Sequence, residues 1–320
     1  MKNFLKSTPL ALGVCAALVL LAGCGGSQTG TPGSMPQNLA SVAHVTHGGS
    51  WMKPGTSGGD LLYVSSPQGN SVSVFTYPGG SLVGTLTGFK NLYGLCSDAN
   101  GNVWMTNYTG YGNNGYLLEY AHGGTSPIAT LAYSGVPQDC AWDPTTGNLA
   151  VIGGALAIYS NASGSPTYYS YRGLQVGGIP LFISYDGSGN VYFAGTHYRA
   201  AWLPKGGSTL MRFYLKLRGG FAWDGTYFTV EVAGKAYRYS PSAGRSGKPV
   251  GSVSLNGICC KSYDSIEDGL LAITQRAGTG YALYVYDYPQ GGSPTLTLSG
   301  LSGAFGVAIS VAPPGLRIHK

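Results

Sequence analysis

Charge is scarce in this chain: only 9% of its 320 residues are Asp, Glu, Lys or Arg, and glutamate occurs three times, at Glu119, Glu231 and Glu267. So few acids argue against a hard-cation enzyme, because Ca2+ and Mg2+ take several oxygen ligands that carry negative charge. The motifs of common catalytic chemistries are also missing, with no Gly-x-Ser-x-Gly elbow, no His-Glu-x-x-His and no phosphate-binding loop. No long segment keeps a helical period, and no apolar run reaches the roughly 20 residues that a bilayer-spanning helix needs. Glycine and tyrosine are abundant instead, at 53 and 24 residues. Short strands joined by tight turns fit that balance. The frequent Val, Leu, Ile, Tyr and Phe supply enough apolar surface for a core, so a folded domain is expected despite the low charge.

At the N-terminus, Lys2 and Lys6 precede an apolar run from Leu10 to Ala22 and then small, polar residues. That order is the order of a signal peptide. Leu21-Ala22-Gly23-Cys24 resembles the lipobox of bacterial lipoproteins, in which the signal is cut before the cysteine and the cysteine is acylated. The resemblance implies a signal peptide over 1–23, a palmitate-type lipid on Cys24 and attachment to a membrane outside the cytoplasm. With Gly25 in place of an acidic retention signal, it implies the outer membrane where the cell has two. More than one acyl chain makes such an anchor long-lived, at about 0.8 kcal/mol per buried methylene. Residues 24–57, rich in Gly, Ser, Thr and Pro, read as a flexible tether. His44 and His47 lie in it without a Cys or carboxylate beside them, so no metal site is expected there.

Residues 58–320 contain repeats. Phe75-Thr-Tyr-Pro-Gly-Gly-Ser81, Glu119-Tyr-Ala-His-Gly-Gly-Thr125 and Trp202-Leu-Pro-Lys-Gly-Gly-Ser208 are the clearest of six turn copies. Their last glycines, at 80, 124, 164, 207, 247 and 292, recur every 40 to 45 residues, the length of a four-stranded propeller blade. Between them lie strand-turn-strand units such as Gly94-Leu-Cys-Ser-Asp-Ala-Asn-Gly-Asn-Val-Trp104 and Phe182-Ile-Ser-Tyr-Asp-Gly-Ser-Gly-Asn-Val191. These hairpins resemble the repeat of NHL-type propellers, and the resemblance implies the fold alone. Asp60-Leu-Leu-Tyr-Val64 matches a second strand without a first, and Phe305-Gly-Val-Ala-Ile-Ser-Val311 a first without a second. An all-β, six-bladed propeller closed by its C-terminal strand is therefore expected, with no open sheet edge at the seam.

Strand order assigns every connection to a face. Both repeated turns fall on one face, where Asp98, Asp143, Asp186 and Asp224 read as turn residues that bond nearby backbone N–H groups. The irregular segments fall on the opposite, loop face, where sites tend to lie. The candidate binding residues there are Lys90, Tyr93, Tyr108, Tyr111, Arg172, His197, Tyr198, Arg199, Arg218, Lys261 and Arg276. With Lys235 near the edge, the loop face counts seven positive residues against Asp139 and Glu231. Those two acids, two blades apart, are a poor supply for a metal, and no catalytic residue, metal or cofactor is assigned. A positive concave face draws anionic partners, and Arg grips carboxylate, sulfate or phosphate through paired bonds. The expected role is a membrane-anchored binding or scaffolding module for an acidic polysaccharide or an acidic protein, nucleic acid not being expected outside the cytoplasm. The alternative is a propeller hydrolase or lyase.

Cys15 leaves with the signal and Cys24 is acylated, so four cysteines remain in the domain. Cys96 and Cys140 begin the first strands of consecutive blades and are expected to form a disulfide. Cys259 and Cys260 either bond each other or stay reduced. The oligomeric state is open.

Overall fold

The computed structural model describes residues 39–41, 49–110, 114–174, 176, 179–195, 199–215, 219–241, 247–259, 263–278 and 280–316. They form six β-sheets arranged as the blades of a propeller. The inner strands, in blade order, are Val307–Ser310, Leu92–Ser97, Asp139–Trp142, Pro180–Tyr185, Gly220–Trp223 and Tyr263–Glu267. Each packs beside the next, and the sixth returns to the first. Closure is a chain-end event: Val307–Ser310 pairs antiparallel with Leu61–Ser66, so the C-terminal strand supplies the inner edge of the blade that the N-terminal part begins. Pairing also reaches into the stretch read as tether. Trp51–Met52 adds a fifth, antiparallel strand to blade 1, and Leu39–Ser41 runs parallel to the outer strand of blade 6. Among the described residues no helix is long and apolar enough to cross a membrane.

The period of two along each second strand holds the ring together, because alternate side chains face opposite neighbours. In blade 1, Leu61 and Tyr63 enter the apolar cluster shared with blade 2, while Leu62 and Val64 enter the one shared with blade 6. Four further clusters fill the remaining junctions. Tyrosine suits these junctions, since its ring is buried while its hydroxyl reaches polar backbone in the adjoining blade. Tyr133 donates to the Ala155 carbonyl (2.7 Å), Tyr159 to Ala132 (2.8 Å) and Tyr286 to Asn256 (2.7 Å), and the Gly123 N–H donates to Tyr63 (2.9 Å).

The turn chemistry lies on one face. Asp98 Oδ1 accepts from the N–H groups of Asn100 and Asn102 (2.8 Å each), and Asp186 Oδ1 does the same for Ser188 and Asn190 (2.9 Å each). Asp143 and Asp224 hold their turns in the same manner. In the other repeated turn, Gly80, Gly123, Gly164, Gly206 and Gly291 all sit at φ between +68° and +71°, which explains the recurring glycine. His122 fastens the seam: its buried ring bridges Ser310 Oγ (2.6 Å) on the closing strand and the Gly59 carbonyl (3.1 Å). Burial lowers the imidazole's affinity for a proton, against smaller opposing effects of the Gly59 carbonyl and Asp60.

Candidate functional site

All six inner strands line one cavity of about 300 Å³ on the propeller axis. Its lining reaches the turn face at Trp142, Pro144, Gly187, Trp223 and Glu267, and toward the loop face it ends at Asp139, Phe182, Tyr263 and Gly306. Beyond that end, aromatic rings bridge the axis: Phe182 meets Tyr263 (centroids 5.0 Å apart), Tyr263 meets Phe305 (5.2 Å) and Phe305 meets Tyr93 (6.2 Å). The cavity is therefore a funnel that opens on the turn face. Trp142 and Trp223, each the residue before a turn aspartate, stand half-buried at its mouth.

Three acids occupy the closed end. Asp139 is the first residue of its inner strand, and its Oδ2 accepts from the Ile183 N–H (3.3 Å) of the next blade. Gly94 makes room for it, since a Cβ at Gly94 would overlap Asp139 Oδ1. Gly220 does the same for Asp264, which accepts from the Phe221 N–H. Directly opposite Gly220 in the same sheet stands Glu231, with no exposed surface. Neither Glu231 oxygen, nor Asp264 Oδ2, nor the Tyr263 hydroxyl makes a well-formed hydrogen bond, and the polar neighbours of the two carboxyls are each other and the Thr229 hydroxyl.

Burial raises the proton affinity of all three carboxyls. For Glu231 the Asp264 charge adds to burial, and for Asp139 the Asp264 charge adds after burial. Glu231 and Asp264 form one coupled pair. The proton belongs on Glu231, which no water reaches, and Glu231 then donates to Asp264, whose carboxylate also has the Phe221 N–H and the cavity. Burial likewise pushes the Tyr263 hydroxyl upward, with Asp139 and then Tyr93 adding to it. No Lys, Arg or His is among the described residues that line the cavity. Among the described residues, no three of His, Cys, Asp and Glu are placed to hold a metal ion.

The structure describes only some of the residues expected on the loop face. Among these, Lys90, Arg172 and Arg276 are exposed, as is Lys235. Arg276 borders a separate cavity of about 430 Å³ with Gln68 and Tyr281, between blades 6 and 1. Tyr108 is half-buried at the end of its strand, and Tyr93 stands beside the axis against Phe305. Arg199 begins the third strand of blade 4, and Tyr111, His197, Tyr198, Arg218 and Lys261 lie outside the described residues. Asp264, from blade 6, stands near both Asp139 and Glu231 and adds a third acid to the two expected there. Cys96 and Cys140 are linked by a disulfide in the cavity wall, with Cα atoms 5.6 Å apart.

No protein-family model matches the chain, and no curated protein matches it. Solved structures do. A protein of unknown function from Bacteroides caccae aligns with a TM-score of 0.55 at 13% identity, over 79% of this chain and 99% of its own. AztD of Citrobacter koseri aligns with a TM-score of 0.46 at 11% identity, over 78% of this chain and 97% of its own. The dihydro-heme d1 dehydrogenase NirN aligns with a TM-score of 0.47 at 14% identity, over 77% of this chain and 55% of its own. At such identities the likeness is one of fold.

Proposed function

We propose that this protein is a lipid-anchored, extracytoplasmic binding module whose ligand enters the axial cavity from the turn face. The observation that carries the reading is the funnel itself: an opening flanked by Trp142 and Trp223, walls from all six blades and a polar closed end. Concave, partly aromatic sites with a few convergent polar groups are where small ligands bind, and about 300 Å³ lies at the small end of their usual volumes. A ligand bound there stabilises the fold by mass action and alters the emission of the flanking indoles. Titrating the mature protein with soluble saccharides and small amines should raise the thermal midpoint and shift tryptophan emission for at least one of them. Trp142→Ala and Trp223→Ala should each weaken that binding by roughly tenfold. Binding unchanged in both variants would place the ligand elsewhere.

A second reading, an anionic partner on the loop face, is favoured by exposed Arg276 beside its own cavity and by exposed Lys90 and Arg172 on the same rim. Dextran sulfate in the same titration separates the two. Salt-sensitive binding that Arg172→Gln with Arg276→Gln weakens, and Trp142→Ala does not, belongs to the rim.

The anchor rests on the Leu-Ala-Gly-Cys sequence ending at Cys24, outside the described residues. Since the lipid attaches through sulfur, Cys24→Ser should leave an uncleaved or unlipidated precursor that incorporates no labelled fatty acid. A labelled, membrane-bound mutant protein would refute the lipobox assignment.

A further inference from the structure

We propose that the ligand of the axial cavity carries a protonated amine, which docks at the closed end against Asp264 and Asp139 while Trp142 and Trp223 flank its apolar body. This rests on the axial cavity being the binding site and adds the chemical class of the ligand. Three observations point to a cation. The cavity's described lining contains acids at both ends, Asp139 and Asp264 inside and Glu267 at the mouth, without one basic side chain. Asp264 Oδ2 and the Tyr263 hydroxyl are buried without a partner, although each is a good acceptor on a residue that lines the cavity. The indoles at the mouth offer faces that attract cations as well as apolar chain.

An ammonium group fits this end better than a metal ion. It brings three donors on one tetrahedral centre, and the acceptors Asp264 Oδ2, Asp139 and the Tyr263 hydroxyl come from two blades around the axis. A hard cation needs a fuller set of oxygen ligands, and the rest of the closed end is Phe182 and backbone. Glu231 belongs to the device without reaching the cavity. As the protonated partner it donates to Asp264 and keeps that carboxylate in place for the incoming cation. A longer ligand has room to continue outward. The groove between blades 5 and 6, of about 580 Å³, shares Trp223, Ile266 and Glu267 with the cavity.

The probe is 1,5-diaminopentane, with 1,5-pentanediol as its neutral counterpart of the same length, tested on the mature protein by calorimetry and tryptophan emission. The diamine should bind at pH 8, and the diol at least about tenfold more weakly. Asp264→Asn should weaken the diamine by roughly tenfold or more, through loss of a charge-assisted bond.

Among the described residues, Asp139, Asp264, Tyr263 and Tyr93 are the titratable groups at the docking point, with Glu231 behind Asp264; they come from the inner strands of blades 2, 3 and 6 and the second strand of blade 5. Burial favours the neutral forms of the three carboxyls, so docking an ammonium should release protons. The apparent heat should then vary with the buffer's ionisation enthalpy, and affinity should fall as pH drops from 8 to 5. Diol bound as tightly as diamine, diamine binding unchanged in Asp264→Asn, or binding of Ca2+ in place of the diamine would each overturn the proposal. A saccharide whose binding Trp142→Ala and Trp223→Ala weaken, with no binding of the diamine, would overturn the amine and leave the cavity reading standing.

Discussion

Glu231→Gln is expected to make the protein more stable at pH 8, with a rise in thermal midpoint on the order of 5 °C for a domain of this size. Burial raises the proton affinity of Glu231, Asp264 and Asp139 above that of ordinary carboxyls. Between the ordinary carboxylate range and those raised values the folded state therefore holds more protons than the unfolded chain. Stability from these groups is complete below about pH 4 and is lost as pH climbs through their folded-state values. Glutamine carries no charge to desolvate, and its amide supplies to Asp264 the donor that Glu231 provides only while protonated. His122 works in the opposite sense, because burial lowers its proton affinity and its contribution fades as pH falls. Comparing variant with wild type at each pH cancels His122, since both proteins keep it. The difference in midpoint should be small at pH 4.5 and grow toward pH 8. A constant difference, or a destabilised variant at pH 8, would contradict the shared-proton pair.

How much of this was legible in the sequence follows from which features are local. Five of the turns were legible because each needs a glycine at positive φ, whatever its neighbours, and Asp98, Asp143 and Asp186 announced their hairpins by the Gly-Asn that follows. The closing strand was legible because a first strand at one end and a second strand at the other each lacked a partner. Asp264 was not. Its blade turns from first to second strand through Asp268 and Gly269, so the hairpin lacks the repeated signature that marks the inner strands carrying Asp139 and Gly220. Trp142 and Trp223 were visible as strand residues, but which end of the axis is open depends on Phe182, Tyr263, Phe305 and Tyr93 meeting across it. That is a property of the closed ring. Strand order set Lys90, Arg172 and Arg276 on one face, and all three are exposed.

Replacing both Cys96 and Cys140 by alanine is expected to lower the thermal midpoint more than any other change considered for this molecule. The bond joins the inner strands of blades 2 and 3 across a sequence separation of 44 residues. In the chain-entropy account, removing a loop of that length from the unfolded ensemble's constraints costs about 4 kcal/mol. At roughly 2–4 °C per kcal/mol, the midpoint should drop by about 8–16 °C. The surroundings add little that would offset this, since Cys140 is buried against Trp104, Leu149 and Val151, and alanine leaves a gap of only one sulfur there. Reduction of the wild type offers an independent route to the same state, but it also acts on Cys259, which is itself disulfide-bonded. The double variant separates the two. Reductant added to it reports the Cys259 bond alone, and the remaining difference from reduced wild type should be within a degree or two. Because Cys96 and Cys140 also line the axial cavity, the variant should lose affinity for the cavity's ligand less than it loses stability: the ring stays closed by Val307–Ser310, and Asp139, adjacent to Cys140, keeps its bond from Ile183. An unchanged midpoint in the double variant, or free thiols at both positions in peptide maps of native protein, would remove the cross-link from the account of what holds the ring.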